Sequence, residues 1–564
     1  MPLVAPSFLR HPGPGPGPRF LSTVAKAAGP RLKAGVTGVL AGALACTALP
    51  AEARTPDLLA YLQGRAADGD GAAQLAARRY ADALAATPGD TGVAAYAYRE
   101  AVAAGDLKLA MDSAAVLGNA APPDADLLIL ASAAAHHDLA AADAAIARIG
   151  KRQFGVMAAP LAAWAAFERG ADPLPLLAAA REDTVARRFA GEARGLILLS
   201  QGNTREGLAT LRAILGTGQA SEDLRVLAAR LLIGTRRTAE AKSLLTGEAA
   251  PIAALRARPG AGTKPSLGFG VSALFTRIAT DLITGPPGPL PLTLAQAAVM
   301  ADPANDRAKL LLGYALGRDG QTDRALATLA MVGTDSPYAQ AARGGRIQIL
   351  TDSGRTEAAL AEAEALARSG DTVALQRYAD LLMTADRPAD AAPIYRRIID
   401  KRESTGGEPD WSTWLQYGAA LDEADDWPRA HEALAQAVKL APDEPLALNY
   451  LGYAQIVHGE PVAPAKALLE KASKLRPKDP AITDSLGWAY HLAGEPKRAL
   501  PLIERAALAS PTDVEVNEHL GDVYWAVGRR FDARYAWRAA QVVAEDDTAA
   551  RLAAKIANGP EPQP

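Results

Sequence analysis

Few residues in this chain have both the type and the spacing to do chemistry. The seven histidines are His11, His136, His137, His431, His458, His491 and His519, and Cys46 is the only cysteine. A zinc hydrolase helix needs two histidines four apart around a glutamate, and His431-Glu432 lacks the second histidine. A lone cysteine excludes an intramolecular disulfide and any cysteine-rich zinc site. His136-His137-Asp138 is the one cluster of ligand-type residues. It falls where a helical hairpin should turn, and neighbouring side chains diverge there, so a solvated turn is the reading and a metal site the alternative. Gly268-Phe269-Gly270 with Ala273 matches G-x-G-x-x-A, a pattern that binds dinucleotides only when a strand precedes it. Ala261 to Leu267, with Gly262, Lys264 and Pro265, cannot supply that strand. No G-x-S-x-G elbow and no phosphate-cradling loop occurs. These observations assign no catalytic, cofactor-binding or metal-ligating residue, and the expectation is a protein that is not an enzyme.

The elements that would have to position any site are helices. At 564 residues the chain exceeds what one hydrophobic core serves, so it needs several domains or a repeat array. Its 49% hydrophobic content is carried largely by alanine while aromatics make up 5%, a balance that suits close-packed helices rather than strands. A formal net charge of −3 gives no basic footprint for nucleic acid.

The clearest unit runs from Pro480 to Asp513 and reads as two amphipathic helices around a Gly494-Glu495-Pro496 break. Gly487 and Ala499 stand where the helices approach, Tyr490 and Ile503 fill either side, and Asp479 caps a helix that starts at Pro480. Leu486, Ala506 and Pro511 complete the pattern. Shifted by 34 residues, Leu520, Gly521, Tyr524, Ala533, Trp537 and Ala540 repeat it from Val514, with Thr512 and Glu515 read as a capping box. Pro445 begins an earlier copy (Leu451, Gly452, Leu469, Ala472, Pro477), its extra residue absorbed in the Gly459 to Pro464 turn. Trp411 begins another (Trp414, Gly418, Ala430, Leu434, Ala437, Pro442). This pattern resembles the tetratricopeptide (TPR) signature, most closely over residues 411–546. The resemblance implies an all-α fold, an α-solenoid of stacked helix–turn–helix repeats, because one hairpin cannot bury its own apolar face.

The rest of the chain is read around that array. Residues 54–250 are alanine-rich TPR-like hairpins with the signature thinned out, and 251–301 are an irregular hairpin with Gly/Pro-rich loops around a helical stretch from Val271 to Ile283. Hairpins resume over 302–403, starting at Asp306, Gln340 and Thr372, and 404–410 is a linker. Residues 547–564 form a capping helix and a disordered tail. Residues 1–53 carry five cations against Glu52, then the apolar run Ala34 to Pro50 and a small-x-small Ala51-Glu52-Ala53, which reads as an export signal cut before Arg54. Cys46 is read as discarded with that signal. If lipidated instead, it would tether the protein loosely to a membrane.

In TPR arrays the inner groove is lined by positions 5, 9 and 12 of each first helix, an i, i+4, i+7 stripe. Carried onto this chain, the resemblance implies a partner-binding groove of Asn449, Tyr453 and Ile456; Asp484, Trp488 and His491; and Glu518, Asp522 and Trp525. The stripe holds acids and aromatics with no lysine or arginine, so it implies a protein or peptide partner with basic and apolar groups. The expected role is a non-catalytic scaffold in the periplasm or cell envelope. A carbohydrate-binding or polysaccharide-export accessory and a cytoplasmic adaptor are the alternatives.

Overall fold

The computed structural model describes residues 56–178, 183–216, 222–285, 288–407 and 410–560. The export signal and Cys46 lie outside the described residues. Among those described, every regular element is a helix, and nearly all are joined as antiparallel pairs by short turns. They fall into two compact units, one ending at Arg355 and the next beginning at Thr356. The hairpin expected from Gln340 is divided by this boundary: Ala339–Asp352 belongs to the first unit and Thr356–Ala367 to the second.

The second unit follows the repeat pattern closely. Its last four hairpins pair Trp411–Glu423 with Trp427–Leu440, Pro445–Val457 with Val462–Leu475, Pro480–Leu492 with Pro496–Ala509, and Val514–Ala526 with Arg530–Val543. Helix starts are set by caps. Asp479 accepts a hydrogen bond from the Ile482 amide at 3.2 Å just ahead of Pro480, whose missing N–H is needed by no partner at that position. The capping box read at Thr512 is corrected: Asp513 is the cap, accepting from the Glu515 and Val516 amides, which frees the Glu515 carboxyl to reach Tyr453. Small residues govern how closely the paired helices approach. A β-carbon on Gly487 would lie 2.6 Å from Ile503, and one on Gly521 would lie 2.2 Å from the Trp537 ring. The core of this unit comes in short successive clusters, one around Leu434 and Leu451, one around Ile503 and Leu486, and one around Trp537 and Leu552. That succession is the signature of a stack in which each hairpin rests on its neighbours. Helix Asp546–Asn558 packs on the last hairpin, its Leu552 fully buried beside Trp537.

The first unit departs from this plan. Its hairpins begin with Pro56–Gly69 and Ala73–Ala86 and run on through Ala125–Ala135, Leu139–Lys151 and Thr184–Ser200, but one continuous core extends from Ala67 to Ile349. The reason lies in Leu267–Leu282 and Pro289–Ala301. Apolar side chains surround both helices, and twelve residues of the former are buried, so neither could serve as a half-exposed repeat helix. They pack instead on helices from earlier hairpins. Gln296 Nε2 donates to the Val102 carbonyl at 2.9 Å and the Leu267 amide donates to Glu168 Oε2 at 2.9 Å, while Arg324 of the later helix Thr322–Ala330 donates to the Ala103 carbonyl. The helical stretch read from Val271 therefore starts four residues earlier, where Ser266 accepts from the Phe269 amide. The G-x-G-x-x-A residues lie inside that helix, where Gly270 makes room for the Trp164 ring.

Candidate functional site

The nine stripe residues do share one face of three consecutive first helices, but most of that face is covered. Asn449, Tyr453, Ile456, Asp484, Glu518 and Asp522 are buried, and only Trp488, His491 and Trp525 keep part of their surface. The expectation that the stripe's acids await cations from a partner is corrected by helix Asp546–Asn558. Its Lys555 Nζ lies 2.7 Å from both Glu518 and Asp522, and Arg551 stands 2.9 Å from Glu518. Asp522 also accepts from Trp537 Nε1 at 3.0 Å. Burial pushes the Asp522 carboxyl above its ordinary range while the Lys555 ammonium pulls it back, as expected when a buried acid keeps a paired charge.

A second group forms around His519, which the sequence reading left out. His519 Nδ1 and Asp484 Oδ2 are 2.8 Å apart, both groups almost wholly buried. Burial alone would lower the His519 imidazole, but the Asp484 carboxylate, with Glu515 and Glu518 beyond it, raises it above its ordinary value. Trp488 stacks on His519 at 4.0 Å between ring centroids and on His491 at 5.0 Å. Desolvation lowers His491 to about 4, helped by the neighbouring His519 and Lys555 cations, so this ring is neutral where His519 is charged. Glu515, partly buried, is raised to about 8 by burial and takes the Tyr453 hydroxyl as a donor, reaching past one hairpin to do so.

Trp525 sits at the end of the array. Its ring lies under the guanidiniums of Arg530 and Arg534, at 5.0 and 5.2 Å. On the opposite side of Arg530–Val543 from its packed Ala533, Trp537 and Ala540, the side chains of Phe531, Tyr535 and Val542 are exposed by 82%, 68% and 84%. Arg538 lies 5.7 Å from the Tyr535 ring on the same side. These three apolar residues recur at helical spacing and could have been found as a second stripe on the second helix of the repeat. His519 too left a trace, because it follows Asp484 by 35 residues and one repeat shift nearly superposes them.

The arrangement offers stacking faces and paired charges rather than a nucleophile with its base. The His136-His137-Asp138 cluster is a turn, as read. His136 Nδ1 donates to the Ser132 carbonyl, His137 meets Glu168 at 2.9 Å, and Asp138 caps the next helix, so the three side chains diverge. Among the described residues, no group of three histidine, cysteine or acidic side chains could hold a metal ion, and no helix is long and apolar enough to cross a membrane.

No protein-family model matches the sequence, and no curated protein matches it. Solved structures do match, at low similarity. A thermophilic TPR protein of Thermus thermophilus is 18% identical over 33% of this chain and all of its own, with a TM-score of 0.29. The Cut9–Hcn1 hetero-tetramer of the APC/C is 15% identical over 90% of this chain and 96% of its own, with a TM-score of 0.35. MamA is 20% identical over 31% of this chain and 96% of its own, with a TM-score of 0.25. The all-α, hairpin-stacked architecture stands on the chain's own helices, caps and glycine contacts.

Proposed function

We propose that this protein is a non-catalytic interaction scaffold whose last hairpins hold a segment of another protein. The observation that carries this reading is the uncovered stripe of Phe531, Tyr535 and Val542. Large apolar side chains concentrated on one helix face mark a surface that a partner covers. With Arg538 beside Tyr535 and Arg530 exposed at the start of the helix, the partner segment that fits is apolar with an acidic group. The part-exposed edges of Trp488, His491 and Trp525 support a second reading, a basic and apolar segment in the groove. Such a segment would compete with Lys555 and Arg551 for the same carboxylates.

One experiment separates these readings. Calorimetric titration of the whole protein with matched acidic-apolar and basic-apolar peptides should show tighter binding of the acidic one. Phe531→Ser with Tyr535→Ser should weaken that binding at least tenfold. Preference for the basic peptide, sensitive to Trp488→Ala, would move the site to the groove. Binding of neither peptide, or binding indifferent to all three substitutions, would remove the scaffold reading. We place the scaffold in the periplasm or cell envelope on the strength of the basic, then apolar, then small-residue order of residues 1–53. N-terminal sequencing of the mature protein tests this: a start at Arg54 supports export, and a chain retaining Met1 removes it.

A further inference from the structure

The exposed stripe on helix Arg530–Val543 has an order that exposure alone does not require. Phe531, Tyr535, Arg538 and Val542 follow one another at spacings of four, three and four residues, which keeps all four on one face and lets a second helix lie along it at a shallow angle. The series also has the same spacing from either end. When a second copy of the helix is laid antiparallel across this face, with the two-fold axis level with the bond between Ala536 and Trp537, Phe531 meets Val542 of the second copy and Tyr535 meets its Arg538. Symmetry makes each of these contacts twice. Arg538 already stands 5.7 Å from the Tyr535 ring of its own helix, and the second copy offers it another. Leu508, which holds the position of Val542 in the preceding hairpin, is exposed as well, so the apolar surface is not confined to one helix.

Charge selects the antiparallel arrangement. Arg530 and Arg534 stand in the first half of the helix, while Glu545 and Asp546 follow its end and are exposed. A parallel copy would set like charge on like, and an antiparallel one sets the cationic half against the acidic end. Arg530 is exposed and has no carboxylate partner among the described residues; its guanidinium only overlies the Trp525 ring. Glu545 is unpaired too. It stands directly ahead of helix Asp546–Asn558, yet its side chain caps no amide there. Within one chain Arg530 and Glu545 cannot meet, because the 14 residues of the helix between them span about 20 Å at 1.5 Å per residue. Across the two-fold axis they fall side by side at both ends of the pair. The apolar segment with an acidic group that the stripe calls for is thus present in the chain itself.

We propose that helix Arg530–Val543 pairs antiparallel with the same helix of a second copy of this chain, Phe531 against Val542 and Arg530 against Glu545. The proposal rests on the reading of the stripe as a contact surface and names its resident occupant. One helix face is smaller than the roughly 800 Å² per partner of a standard interface, so the pairing is reversible and an acidic, apolar segment of another protein displaces the second copy.

Sedimentation velocity of the whole protein at a series of concentrations should show a reversible equilibrium between monomer and dimer. Phe531→Ser with Tyr535→Ser should weaken the dimer at least tenfold. Arg530→Glu and Glu545→Arg should each weaken it at least threefold, and a chain carrying both should return to within twofold of the parent, because the exchanged charges meet again only between copies. All of these side chains are exposed, so the variants keep the fold, which circular dichroism checks. The acidic-apolar peptide should convert dimer to monomer. A protein that is monomeric throughout, a dimer indifferent to the stripe substitutions, or a doubly exchanged chain no tighter than the single ones would each overturn the proposal. The scaffold reading fails separately. A monomer that still binds the acidic-apolar peptide would overturn the second copy alone, and a dimer that responds to every variant but binds no peptide would uphold the second copy and remove the scaffold.

Discussion

Gly487 and Ile503 set how close two helices stand, and the contact can be tested from both sides. Leucine at 487 must displace Ile503, which is fully buried, and overpacking of this kind costs about 1–3 kcal/mol. Urea unfolding should show that loss for Gly487→Leu, and Ile503→Ala in the same chain should recover part of it. If the double variant is less stable by the sum of the two single losses, the contact is not the one described. His519 and Glu515 make a second prediction at this scale. Both native values are raised, from 6.5 for His519 and from 4.5 to about 8 for Glu515, so the folded state holds these protons more tightly than the unfolded state does. Their stabilising contributions are complete below those unfolded values and are lost as pH rises through the native ones. His491 has the opposite sign, with its contribution lost as pH falls from 6.5 to about 4, and so it is silent above 6.5. The urea midpoint of the second unit should therefore fall between pH 6.5 and 8. Glu515→Gln should flatten that slope, and an unchanged slope would remove Glu515 as its source.

Helix Asp546–Asn558 is the element on which the end of the array depends. Lys555→Met should leave Glu518 and Asp522 buried without their shared cation, at a cost of about 3 kcal/mol or more near neutral pH. Because Asp522 would then shift further upward and take up a proton, part of the loss should return on acidification. A Lys555→Met protein as stable as the parent at pH 7 would show that Arg551 alone suffices. How far such elements were legible in the sequence depends on what their residues reveal. Helix starts at Pro445, Pro480 and Val514 could be read because the small-residue offsets act locally, as does the Asp479 cap at Pro480. The covering of the stripe could not. Lys555 lies outside the repeat pattern, and no offset within a repeat indicates that a helix beyond the last one returns to Glu518. Leu267–Leu282 misled the reading for a related reason. Gly268 and Gly270 look like loop residues in a sequence, and only the Trp164 ring and the backbone packed against them explain glycines inside a buried helix.

For the whole molecule, the difference between the two cores predicts different unfolding behaviour. The first unit has one core from Ala67 to Ile349, and the second has a succession of small ones. Scanning calorimetry should resolve a sharp transition from the first and a broader one from the second, since a stack coupled only through neighbours loses hairpins gradually. Lys555→Met should shift only the broad transition. A single transition that moves as one would contradict two cores of different kind. The bond from Arg324 to the Ala103 carbonyl spans 221 residues of chain, and the bond from Gln296 to Val102 spans 194. A ribosome adding about 5–20 residues per second needs on the order of ten to forty seconds to cover the longer interval. Through that time the early hairpins exist without the helices that fill them, exposing apolar surface that the finished protein hides. The first half of the chain is thus the part that most needs shielding while it is being made, and the hairpins after Thr356 can close almost as fast as they emerge.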